Sequence, residues 1–179
     1  MHRYAAALLH PGVTLAGNST MTTQKPTNEA LTVDVLALLH AKGLPLLGVE
    51  ASKPSWNAAA RAFDVLAEQP QARLTTALAL TLRAAMRENA LGFLPAVQSS
   101  KGRRLAAWLL SELALREPEP LPETAREWLF AVQSAPGDLS PVYLSQTTLE
   151  FKRRRWEEQA TPSQRQFGVF GALDLLDSE

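Results

Sequence analysis

Between Gln71 and Asn89 the sequence runs without a proline or glycine and sets Leu74, Leu78, Leu82 and Ala85 at helical core spacing, with Leu80 and Met86 widening the apolar face. A helix this apolar needs neighbours to cover it, so the stretch predicts the central helix of a helical protein. The apolar alphabet agrees: Leu and Ala dominate, Val and Tyr are scarce and Ile is absent, which favours helices over strands. The expected fold class is mainly α, a compact bundle of about six or seven helices.

Other elements arrange themselves around that stretch. A first helix is expected from about Asn28 to Lys42, with Leu31, Val35, Leu38 and Leu39 on one face and Gly43 closing it. Leu44 to Ser52 forms a connector able to hold an extended segment. A second helix, Lys53 to Glu68, stripes Trp56, Ala60, Phe63 and Ala67 before Pro70 stops it. Gly92 and Pro95 end the central helix, and Ser99 or Ser100 caps the next, on which Leu105, Trp108, Leu109 and Leu113 repeat until Pro118. The stiff run from Glu117 to Pro122 marks a boundary between a larger helical bundle, 25–117, and a smaller C-terminal segment packed on it, 118–179.

Pro122 suits a first helical position, and Ala125, Trp128, Leu129 and Val132 make a stripe that ends at Ala135-Pro136-Gly137. From Val142 to Phe151 aromatic and β-branched residues mix with helix formers. Helix is the expectation there, because only Leu44 to Glu50 offers a strand partner. Thr161-Pro162-Ser163-Gln164 is a capping box, opening a helix that carries Phe167, Phe170, Leu173 and Leu176, with Gly168 and Gly171 allowing close helix approach. Residues 1–24 read as a disordered leader, and Met21 offers an alternative start.

Several chemistries find no support. With no cysteine there is no disulfide, thiolate nucleophile or Cys-ligated metal, which suits a reducing cytoplasm. No apolar run approaches the roughly 20 residues needed to span a bilayer. Of the histidines, His2 and His10 lie in the leader, and His40 reads as a helix-terminal residue. Neither a metal-binding His pair, a nucleophile elbow nor a glycine-rich nucleotide loop occurs. The expectation is a protein without enzymatic activity, cofactor or metal.

Net charge is zero, so attraction to a polyanion has to come from local segregation. The strongest local feature is Lys152, Arg153, Arg154 and Arg155, four consecutive cations between Phe151 and Trp156. On a helix Glu150 would pair with Arg154, Arg153 with Glu157 and Arg154 with Glu158, which is the pattern of a solvated face. Lys152 and Arg155 have no such partner, and the flanking aromatics suit base stacking beside neutralised phosphates. A second feature is Lys101, Arg103 and Arg104, following Ser99-Ser100 at a helix start. Cations there oppose the helix dipole unless an anion sits on the free amides, so the run reads as a candidate phosphate site. Glu112, Glu117, Glu119, Glu123 and Glu127 make the middle of the chain acidic.

Val35-Leu36-Ala37-Leu38-Leu39-His40-Ala41-Lys42-Gly43-Leu44-Pro45-Leu46, followed by Ser52-Lys53-Pro54-Ser55-Trp56-Asn57, loosely resembles the beginning of winged-helix DNA-binding domains. That family needs a further helix between the two segments and a wing hairpin after Glu68, and the sequence provides neither. The expected function is nucleic-acid binding with limited sequence preference, single-stranded DNA included, through Phe151, Lys152 to Arg155 and Trp156, with Lys101, Arg103 and Arg104. The competing expectation is a helical adaptor or regulator that pairs its acidic and basic segments with a protein partner or a second copy.

Overall fold

The computed structural model describes Leu38, residues 56–147 and residues 149–172. The helix expected over Asn28–Lys42 lies outside that range except for Leu38, which is buried in the core. The leader, the Leu44–Ser52 connector, Leu173 and Leu176 also lie outside the described residues.

The described chain is mainly α. Its order is α1 (Trp56–Glu68), α2 (Ala72–Arg87), a 3-10 segment (Leu91–Ala96), α3 (Ser100–Ala114), α4 (Glu123–Ser134), β1 (Val142–Tyr143), α5 (Glu150–Glu158), α6 (Pro162–Phe167) and β2 (Val169–Phe170). Alanines thin the faces of α1, where Ala58, Ala59, Ala60 and Ala62 are buried beside Phe63 and Leu66. Small residues let α1 lie close against α3, the most extensive helix pairing among the described elements. Phe93 of the 3-10 segment is sandwiched by α1, stacking on Trp56 at 5.8 Å and on Phe63 at 6.4 Å between ring centroids. Asn89, at φ 52°, takes the left-handed conformation that ends α2.

Among the described residues the central helix is α3 rather than the Gln71–Asn89 stretch. Every residue from Arg104 to Leu110 is buried, and α3 packs against α1, α2, α4, α6 and β2. By contrast α2 leaves Leu74 and Met86 only partly buried at the edge of the core. The apolar stripe of α3 is supplemented by Ala106, Ala107 and Leu110, small or apolar residues that let other elements close around it. On α4 the expected stripe holds: Ala125 and Val132 are buried, with Trp128 and Leu129 partly so.

Two expectations are corrected after Ser140. Val142–Tyr143 is a strand, and it pairs in parallel with Val169–Phe170, with Val142 opposite Val169 and Tyr143 opposite Phe170. The amides of Val142 and Leu144 donate to the carbonyls of Gly168 and Phe170, each at 2.9 Å. The partner strand therefore lies inside the stretch expected as the last helix. That helix starts as foreseen: the Thr161 hydroxyl accepts from the Gln164 amide, and the Gln164 side chain closes the capping box. It stops at Phe167, because Gly168 turns into the left-handed region at φ 62° and redirects the chain. A Cβ at Gly168 would also crowd the guanidinium of Arg104.

Candidate nucleic-acid interface

The four cations lie on α5, a surface helix with no buried side chain. Glu150 in its first turn and Arg155 in its last complement the helix dipole. The inner side of α5 is fastened to β1. Trp156 is partly buried with its ring 6.2 Å from that of Tyr143, and the Tyr143 hydroxyl donates to Glu157 at 2.6 Å. Arg153 lies over the Tyr143 ring, 5.1 Å from its centroid, and its Nε donates to the Thr147 carbonyl at 3.1 Å. Burial first, and then the bond to the Glu157 carboxylate, push the Tyr143 hydroxyl up to about 12, so it remains a neutral donor.

Helical spacing leaves Phe151 and Arg155 on the side away from those contacts, with exposed Lys152 on the flank. Phe151 is 64% exposed, and Arg155 follows it by one turn. Arg154 pairs with Glu150 at 2.6 Å, as the spacing predicts, whereas Glu157 and Glu158 pair with no cation among the described residues: Arg153 turns to Thr147 and Arg154 is already engaged. Lys152 and Arg155 form no ion pair among the described residues. The exposed aromatic is thus Phe151, and Trp156 instead anchors the helix.

The second expected cluster is dispersed, and an anion already occupies its helix start. Ser99 caps α3, its hydroxyl accepting from the Gly102 amide at 2.9 Å. Asp64, from α1, accepts from the Gln98 amide at 3.1 Å and from both the amide and the hydroxyl of Ser99 at 2.8 Å. Gly102 permits this approach, since a Cβ there would overlap the Asp64 carboxylate. One turn further along α1, Glu68 pairs with Lys101 at 2.8 Å. The Asp64 carboxylate, rather than an external phosphate, meets the helix dipole.

Arg104 is no surface cation: it is 1% exposed. Its Nη1 donates to the Phe167 carbonyl at 3.0 Å and its Nη2 to the Ser140 carbonyl, which ties together the residues preceding β2 and β1. Burial lowers its pKa and nearby Asp138 partly offsets that. Asp138 itself is held below the usual carboxylate range, chiefly by the amide and hydroxyl of Ser140 and also by Lys101 and Arg104. Arg103 is exposed but bonds to the Gln98 carbonyl at 2.7 Å and faces a different cleft, shared with Trp128 and Pro136. Of the second cluster only Lys101 meets the first: it lines one cleft with Arg153 and Tyr143.

The residues that sequence reasoning missed are Asp64 and Glu68. Their i,i+4 spacing places both carboxylates on one helix face, a visible signal, yet their pairing with Ser99 and Lys101 spans more than 30 residues and has no local signature. Among the described residues no cluster of potential metal ligands occurs, and no helix is long and apolar enough to cross a membrane. No protein-family model, no curated protein and no solved structure matches this chain.

Proposed function

We propose that the protein binds nucleic acid, without catalysing a reaction, through the outer face of α5. The observation that carries this reading is Phe151: an aromatic ring left in solvent beside Lys152 and Arg155, which no carboxylate among the described residues neutralises, on a helix anchored through its opposite side. Phosphates would displace counterions at Lys152 and Arg155, and an unpaired base would stack on Phe151. Stacking needs a base outside a duplex, so single strands, DNA among them, are the favoured ligand, with limited sequence preference. A cysteine-free chain working on such a ligand suits the cytoplasm. Trp156 and Arg104 have no part in the contact, because their side chains are spent on the fold.

Fluorescence anisotropy of labelled single- and double-stranded oligonucleotides at low and near-physiological salt tests the proposal. Salt-sensitive binding that weakens about tenfold in a Lys152→Ser, Arg155→Ser double variant is expected, with Phe151→Ala removing the preference for single strands. Absence of binding at low salt would overturn it. The second reading, a helical adaptor, is favoured by one specific feature: Phe130, 69% exposed, lies on the same outward face of α4 as Glu123 and Glu127. That face also carries exposed Arg126, so an apolar ring beside charges of both signs would suit an amphipathic partner of mixed charge.

A further inference from the structure

We propose that the shallow cleft beneath α5 seats one phosphate group of the bound strand, gripped by Arg153 and Lys101, with Glu68 as a competing internal anion. This rests on the nucleic-acid reading above and assigns it a specific contact. The cleft is lined by Pro70, Tyr143, Ser145 and Thr147 as well as the charged residues. It brings together the two basic segments, one from the first turn of α3 and one from α5.

Arg153 is prepared for such a ligand. Its Nε is committed to the Thr147 carbonyl and its guanidinium plane rests on Tyr143, so the orientation of the group is already fixed. Its two terminal nitrogens form no hydrogen bond among the described residues. A planar fork held in this way matches two phosphate oxygens, and little conformational freedom is lost on binding. The volume, about 270 Å³, falls just under the roughly 300–1,000 Å³ typical of small-molecule pockets. It has room for a compact anion with its water.

Lys101 supplies the second charge, and in the free protein it pairs with Glu68 at 2.8 Å. Glu68 stands half in solvent, so a phosphate entering the cleft draws Lys101 away from a carboxylate that water readily resolvates. Removing the Glu68 charge therefore strengthens phosphate binding. This is a gain that a damaged fold would not produce.

The test uses the full chain and the variants Arg153→Gln, Arg153→Lys and Glu68→Gln, with a single-stranded oligonucleotide and, separately, inorganic phosphate as probes. Oligonucleotide affinity is read by anisotropy across a salt series, and phosphate binding by amide NMR shifts at Ser145, Gln146 and Thr147. Expected results are a several-fold loss with Arg153→Gln and a log–log salt slope shallower by about one. Arg153→Lys should recover the slope without the full affinity, and Glu68→Gln should bind tighter than the parent. Unchanged affinity and slope in both Arg153→Gln and Glu68→Gln, with oligonucleotide still bound, overturn the seat and leave the α5 reading standing. Phosphate shifts at Ser145–Thr147 that vanish in Arg153→Gln, without oligonucleotide binding, keep the phosphate seat and overturn the nucleic-acid reading. An absence of both kinds of binding overturns both.

Discussion

Asp64 Oδ1 accepts two hydrogen bonds from a single residue, the backbone amide and the hydroxyl of Ser99, both at 2.8 Å. The bonds join α1 to the first turn of α3 and place a carboxylate where the free amides of that turn need one.

Gly102 is the residue that this arrangement depends on most. On helix propensity alone Gly102→Ala would stabilise by about 1 kcal/mol. Because a Cβ there meets the Asp64 carboxylate, the expected result is a loss of about 1–3 kcal/mol, measured by urea unfolding. Ser99→Ala should cost about 1 kcal/mol by removing the cap. A more stable Gly102→Ala protein would show that Asp64 is not held against α3.

Arg104 satisfies two carbonyls that belong to different segments, Ser140 and Phe167. Arg104→Met keeps an apolar stem in the core but strands both acceptors, so a loss of about 2–5 kcal/mol is expected. Hydrogen exchange locates the damage. The amides of Val142 and Leu144, which form the β1–β2 ladder, should lose protection before those of α1 and α2. Uniform loss across all helices would contradict a local role for Arg104.

Tyr143 gives the fold an alkaline limit. Its pKa is pushed up to about 12 in the folded protein, against about 10 for an unfolded tyrosine. The raised value means that the folded state holds its proton more tightly. The stabilisation is complete below about pH 10 and is lost as pH rises from there through about 12. Phenolate absorbance should show a late-titrating tyrosine that disappears in Tyr143→Phe and titrates earlier in Glu157→Gln. An ordinary titration in the parent protein would remove this account of the Tyr143–Glu157 bond.

What the sequence disclosed was whatever depends on neighbours within a turn or two. The α4 stripe, the Ser99 cap and the Thr161–Gln164 box follow from local spacing, and so does the Glu150–Arg154 pair. What it concealed depends on residues far apart in the chain. Val142 and Val169 are each too short a strand signal to stand alone, and only their pairing across 27 positions makes either one a strand. Gly168 reads as a glycine that allows close helix approach, and the backbone at φ 62° makes it a helix terminator instead. Arg104 sits in a run of cations indistinguishable by type, yet a single step along the helix, about 100° around its axis, separates exposed Arg103 from its buried neighbour. In the candidate interface the cations of α5 were legible and the division of its aromatics was not, because Trp156 is claimed by Tyr143, a residue 13 positions away.

The tie from Arg104 to the Phe167 carbonyl spans 63 residues, and this has a consequence for assembly in time. The chain emerges from the ribosome from its N-terminus, so α1, α2 and α3 are available to associate while Arg104 still lacks that acceptor. Until Phe167 has been made, water must keep reaching the guanidinium at the flank of α3. The contact is a long-range one, of the kind that slows folding because chain closure precedes its reward. Synthesis through Phe167 sets the earliest moment at which the interior around α3 can become dry.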